Sequence, residues 1–357
     1  MLYKLFIKIF LAAAMLFSSV LLGIIYISDP YALFHRPLWH KDLMYDNLRI
    51  QDYGLIKYED FDGIILGSSM LENSSADEVS QKIGGQWVNL SFSSARFYEK
   101  FSVLNFALRN KKLRGVIMSL DSYHFAQLHD TKETFDSELY ADSLIAKFRI
   151  YFTDRGIASV CGKKKHFMAK DLNAPLDWRN SPQHIRRFGG FANWIKYYHQ
   201  DEQAKDSLDK LKSVRNPEKY IYSDYRKIVD NELMPLFRHK DTMFYLLIPP
   251  YSALFWAWEL DNFDEMMAPV AYLIEQTKDL PNVKIYWLYD EDFVFDIARY
   301  KDLTHYDAGI NTLMTEAIRN GSNIINAGNY QSKIARFKHK INHFDISDFT
   351  AQAQKIF

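Results

Sequence analysis

One segment dominates the hydropathy pattern. From Ile9 to Ile27 the chain carries 19 uncharged, mainly apolar residues, preceded by Lys4 and Lys8. A helix rises about 1.5 Å per residue, so this run nearly spans a hydrocarbon core of ~30 Å. It predicts a transmembrane signal anchor. A cleavable signal peptide would have a shorter apolar stretch followed by a small-x-small site, whereas this run leaves through Tyr26, Ser28, Asp29, Pro30 and Tyr31. The two lysines predict that residues 1–8 stay in the cytoplasm. The rest of the chain would then lie outside the inner (cytoplasmic) membrane in single-pass topology, with membrane lipid as the anchor's partner.

Beyond a linker over residues 28–60, the pattern changes to short apolar runs separated by polar or helix-compatible stretches. The runs are Gly63–Leu66, Trp87–Leu90, Gly115–Leu120, Met243–Ile248 and Lys284–Leu288. Continuous runs of this length read as parallel strands buried on both faces. Between the first two, Ser74 or Ser75 is a helix N-cap and Gly84-Gly85 a stop. Between the second and third, Phe97, Phe101, Leu104 and Leu108 recur at helical spacing. Another helix is expected over about 308–319. The expected fold over residues 61–357 is a three-layer α/β/α sandwich around a five-stranded, mainly parallel, flavodoxin-like sheet.

The third and fourth runs are separated by far more chain than one crossover needs, from about Ser122 to Lys240. A structureless loop of that length is foreign to a compact domain. The segment is expected to be a helical insertion leaning over the carboxyl ends of the strands and restricting access to them. It contains Lys163-Lys164-Lys165-His166, Arg186-Arg187 and the aromatic stretch Trp194–Tyr198. Such basic clusters read as a solvated face, or as contacts for anionic headgroups or an acidic glycan.

Composition narrows the classes. Lys and Arg total 44 and balance 44 Asp and Glu, so the basic excess of a nucleic-acid binder is missing. The single Cys161 excludes an internal disulfide and a Cys-rich zinc site. His124 and His129 lie five apart, as do His35 and His40, which is not the spacing of a helical metal pair. Neither a Gly-x-Gly-x-x-Gly nor a Walker pattern occurs, so no metal, nucleotide or other cofactor is expected. The 23 Tyr and 26 Phe read mainly as core.

Ligands of doubly wound sheets bind beyond the carboxyl ends of the strands. Those ends carry Gly67-Ser68-Ser69-Met70, Ser91-Phe92-Ser93-Ser94, Asp121-Ser122-Tyr123 and Pro249-Pro250-Tyr251-Ser252, and the loop after the fifth run carries Asp302-Leu303-Thr304-His305. A serine on the Gly-led turn can present its hydroxyl, His305 can take its proton, and Asp302 can fold back to orient the imidazole. Tyr251 and Ser252 are candidate substrate contacts on a pocket wall.

With these blocks in view, the chain resembles the SGNH, or GDSL-type, hydrolases. It is most similar to their membrane-anchored envelope branch, which includes the teichoic-acid D-alanylation accessory and alginate O-acetylation proteins. The resemblance covers roughly Phe61 to Thr315, outside the insertion. It implies that the nucleophile is Ser69 rather than Ser68, with His305 and Asp302 completing the triad. The backbone N–H groups of Ser69 and Ser94 would form the oxyanion hole, Ser94 standing where the family has glycine. In the third block Asp121 stands where the family has an oxyanion-donating asparagine, and Asp121 is a further candidate substrate contact.

The resemblance implies a serine esterase or O-acyltransferase acting on acyl esters, acetyl above all, of a cell-envelope polysaccharide. Its partners would be an acylated glycan or acyl donor and a membrane O-acyltransferase. The alternative is a non-catalytic protein of the same fold, serving assembly or binding in a polysaccharide acylation or export complex.

Overall fold

The computed structural model describes residues 2–36, 38, 43–45, 48–126, 135–153, 166–168, 185–212 and 224–356. The strands in chain order are β1 (Leu43–Tyr45), β2 (Gly63–Leu66), β3 (Trp87–Asn89), β4 (Gly115–Ser119), β5 (His166–Met168), β6 (Met243–Ile248), β7 (Val283–Trp287) and β8 (Ile324–Ile325). The chain divides into two compact units. One comprises Met1–Glu59 with Glu133–Asp171, and the other Asp60–Lys132 with Leu172–Phe357. The segment from Ser122 to Lys240, read from sequence as a single insertion into the sheet domain, is thus shared between the two units. The lysines at 163–165 lie outside the described residues.

The second unit is mixed α/β, built on a six-stranded sheet of order β3-β2-β4-β6-β7-β8. The five apolar runs form β2, β3, β4, β6 and β7, all parallel to one another. The expected five-stranded sheet is extended by β8, which pairs antiparallel through Ile285↔Ile325 and Tyr286↔Ile324. Every residue of β2 and β4 is buried, odd and even positions alike. Both faces of the sheet are therefore covered, as parallel strands require.

Helix ends follow local chemistry. Ser75 caps Ala76–Ile83 by accepting from the Glu78 amide, and Gly84 closes it with φ +77°. Asp307 caps Ala308–Asn320 by accepting from the Gly309 and Ile310 amides. The aromatic excess is largely core: Trp287, Tyr289 and Phe337 form one buried cluster, with ring centroids 4.5 Å apart for Tyr289 and Phe337.

In the first unit, the helix Leu2–Ser28 contains the apolar run and is long and apolar enough to cross a membrane. Asp29 ends it with a buried carboxylate that accepts from the amides of Leu33, Phe34 and His35. The unit also holds the helices Leu48–Tyr58 and Leu144–Tyr151 and the antiparallel pair β1–β5.

Candidate active site

The strand order locates the site. The chain runs from β2 outward to β3, then returns past β2 to β4, so the direction of winding switches between β2 and β4. A crevice opens at such a switch beyond the carboxyl ends of the strands. The turn after β2 requires Gly67, since a Cβ there would stand 2.8 Å from Leu71 and 2.9 Å from Ser119 Oγ. Ser68 then caps the short helix Ser69–Glu72, and Ser69 is left partly exposed.

The structure brings Ser69, His305 and Asp302 into one line. Ser69 Oγ lies 2.8 Å from His305 Nε2, and His305 Nδ1 lies 2.8 Å from Asp302 Oδ2. Burial opposes ionisation of Asp302, but His305 and Lys301 override it and hold the carboxyl well below the usual carboxylate range. As a carboxylate, Asp302 accepts the Nδ1 proton. Nε2 is then the acceptor for the Ser69 hydroxyl. The Asp-x-x-His spacing works because Asp302 Oδ1 also accepts the Thr304 and His305 amides, at 2.9 and 2.8 Å. This folds the loop back on itself.

Several groups hold that loop in place. Tyr300 bridges Tyr306, and the Lys301 amide donates to His305 O at 3.1 Å. Tyr306 Oη donates to Met70 O at 2.9 Å, tying the His305 loop to the helix that begins at Ser69. The Leu303 amide donates to Ser207 Oγ at 3.2 Å, and Trp194 Nε1 donates to Tyr300 O at 2.8 Å.

The second and third blocks behave differently. Ser94 has φ +54°, a left-handed conformation that favours glycine. The Phe92 amide donates to Gly67 O at 3.2 Å, which keeps the Ser94 loop beside the Ser69 turn. Among the described residues, neither the Ser69 nor the Ser94 amide has a hydrogen-bond partner. Asp121 is fully buried. It accepts from Ser68 Oγ at 2.7 Å, from Ser119 Oγ at 2.8 Å and from Lys100 Nζ at 2.9 Å. Burial opposes its charge, but Lys100 and the Ser68 hydroxyl hold it well below the usual carboxylate range. Burial likewise lowers the neighbouring His124 to about 3.

The substrate contacts expected at Asp121, Tyr251 and Ser252 are corrected by burial, since all three are 0% exposed. Their polar atoms turn inward. Ser252 Oγ donates to Leu303 O at 2.6 Å, and Tyr251 Oη donates to Asp121 at 3.5 Å. Ser252 therefore supports the loop of Asp302 and His305. Ser68, the other serine of the turn, is 1% exposed and committed to Asp121.

Sequence reasoning missed Lys100 and Tyr306, and gave no role to Asn89 at the head of the second block. Lys100 had a readable signal, because it sits within the apolar stripe of Phe97, Phe101 and Leu104. Asn89 Nδ2 donates to Leu71 O and Ser74 O, both at 2.9 Å, and holds the chain just beyond Ser69.

A cavity of about 420 Å³ meets this constellation at His305. Glu202, Asp206 and Lys210 line it from the helix Glu202–Lys212, together with Phe255, Trp258 and Glu259; Ser69 is outside the lining. One helix of the expected insertion thus borders the site. Among the described residues, no three His, Cys, Asp or Glu side chains are grouped to hold a metal ion. A hydroxyl hydrogen-bonded to an imidazole, itself oriented by a buried carboxylate, can undergo general-base-assisted attack on an electrophilic carbonyl. No protein-family model matches this chain, and no curated protein matches it.

Proposed function

We propose that the protein is a membrane-anchored, extracytoplasmic serine esterase or O-acyltransferase of the SGNH type, acting on acyl esters of a cell-envelope polysaccharide. The hydrogen-bonded line from Ser69 through His305 to Asp302 carries this reading. The five parallel strands support it through their order, 2-1-3-4-5 when numbered among themselves, which is the flavodoxin-type order. The helix Leu2–Ser28, with Lys4 and Lys8 near its start, supports the anchor and its orientation.

In this reading Ser69 Oγ attacks the acyl carbonyl while His305 Nε2 takes its proton. The amides of Ser69 and Ser94 receive the developing oxyanion. His305 then returns the proton to the departing sugar oxygen. Water, or a second sugar hydroxyl, next gives its proton to His305 and takes the acyl group, while His305 returns that proton to the departing Ser69 oxygen. In the adjoining cavity, Trp258 and Phe255 offer apolar faces to a sugar ring, and the carboxylates accept from its hydroxyls. A membrane O-acyltransferase is the fitting partner for the transfer reaction.

The test is labelling of the full chain in detergent with a fluorophosphonate probe. Labelling that vanishes in Ser69→Ala and persists in Ser68→Ala is expected. Wild type that stays unlabelled while folded overturns the enzymatic reading. One observation favours the non-catalytic alternative: the charge-paired Asp121 supplies no side-chain donor to an oxyanion. Losing one such donor costs about 10²–10³ in rate, which leaves a slow enzyme measurable by this probe.

A further inference from the structure

The helix Leu144–Tyr151 turns apolar residues away from its own unit. Ala146, Ile150 and Tyr151 face inward, whereas Leu144, Ile145 and the following Phe152 are 61%, 75% and 52% exposed. Positions 145 and 152 are two helical turns apart, so the exposed side chains share one face. A contiguous apolar face of this kind marks an interaction surface.

The helix is fastened to the residues that leave the long apolar helix, by Tyr151 from its inward side and by Phe148 from the same face as Leu144, Ile145 and Phe152. Tyr151 Oη donates to Asp29 Oδ1 at 2.6 Å and accepts from the Tyr31 amide at 3.1 Å. The rings of Phe148 and Phe34 lie 4.8 Å apart, and Tyr26 lies 5.6 Å from Phe34 and 5.0 Å from His35. Aromatic side chains with a polar tip collect at the boundary between hydrocarbon and water. Among the described residues, the two basic side chains of this helix are paired. Arg149 meets Asp136 at 2.6 Å and Glu138 at 2.9 Å, and Lys147 meets Asp142 at 2.7 Å.

We propose that this helix is a second membrane contact, lying in the interfacial zone of the bilayer that Leu2–Ser28 crosses, with Leu144, Ile145 and Phe152 immersed among the acyl chains. The inference rests on the spanning role of the N-terminal helix in the reading above. A bilayer is favoured over a protein partner because the exposed stripe continues directly from the residues that leave the spanning helix. Among the described residues, Lys147 and Arg149 beside the face are paired within the chain. Helices of this kind bind by burying an apolar face at the level of the headgroups and upper acyl chains.

The test uses the full chain with Cys161→Ala, reconstituted in phosphatidylcholine vesicles and carrying an environment-sensitive fluorophore on a single introduced cysteine. Ile145→Cys and Phe152→Cys report the proposed contact, and Leu16→Cys reports the spanning helix. Loss of emission at 145 and 152 with lipid carrying a nitroxide near the headgroup, and little loss with aqueous iodide, is expected. Quenching by iodide and not by lipid at 145 and 152, with Leu16 still lipid-quenched, overturns the second contact and leaves the anchor standing. A Leu16 label that lipid does not quench overturns the anchor and this inference with it. Labels screened from both quenchers in proportion to protein density assign the face to a second copy of the chain and also overturn the proposal.

Discussion

Lys100 Nζ lies 2.9 Å from Asp121 Oδ2, and both side chains are completely buried next to the turn that presents Ser69. Asp121 also receives the Ser68 hydroxyl, so this ion pair sets the conformation of the residue before the proposed nucleophile. A buried pair is costly to break, because the survivor is left as an uncompensated charge.

Lys100→Met should therefore destabilise the protein by about 3–5 kcal/mol. Adding Asp121→Asn, which removes the second charge and keeps a polar partner for Ser68, should recover much of that loss. Urea unfolding in detergent, followed by tryptophan fluorescence, measures both. A double variant no more stable than Lys100→Met would mean that the pair is not the source of the effect.

Ser69→Ala and His305→Ala should each lower kcat for a small acetyl ester by roughly 10⁴–10⁶, and the double variant should be no worse than the poorer single one. Ser68→Ala should retain turnover and lose stability instead. Steady-state hydrolysis rates decide the matter, and additive losses at Ser69 and His305 would show that the two do not act as a unit.

Tyr306 acts through its hydrogen bond to Met70 O. Its net worth is about 0.5–1.5 kcal/mol, so Tyr306→Phe should lower kcat by up to about tenfold. As a positioning residue it should leave KM nearly unchanged. A rise in KM with kcat intact would place Tyr306 in substrate binding.

Stability should depend on pH through His124. Its value in the folded protein, about 3, lies below the ordinary value of about 6.5, so the unfolded chain takes up the proton first as pH falls. Its contribution is complete above about pH 6.5 and is lost at roughly 1.4 kcal/mol per pH unit until the folded value is reached. Asp121 and Asp302 are depressed carboxylates, whose contribution is present above about pH 4 and lost as pH falls further. His124→Gln should flatten the slope of unfolding free energy between pH 6 and pH 4, in about the proportion that linkage requires. An unchanged slope would assign the acid sensitivity elsewhere.

If the cavity beside His305 takes the sugar, Trp258→Ala should raise KM for an acylated oligosaccharide and spare turnover of a small acetyl ester. Kinetics on the two substrates separate these effects. Equal losses on both would place Trp258 in support of the loop of Asp302 and His305.

Much of this architecture is written locally. Parallel strands are buried on both faces, so they appear in the sequence as unbroken apolar runs, and all five were legible for that reason. The strand β8 was not, because two residues carry no period. The pairing of Asp302 with His305 was also legible, since a carboxylate reaches amides and a ring only three residues ahead. The choice between adjacent Ser68 and Ser69 was different. It depends on which hydroxyl the turn sends inward to Asp121, which is 53 positions from Ser68. Asp121 at the end of its strand was visible, but its burial in an ion pair was not, because Lys100 and Asp121 meet across a crossover. Tyr251 and Ser252 looked like a pocket wall until packing buried them. By itself the sequence determined the long apolar run, the strands and the local turn of Asp302 and His305, all governed by neighbours in the chain. Only the tertiary structure brought Ser69 to His305 across 236 positions, because strand order, and no local preference, sets which loops share an edge of the sheet.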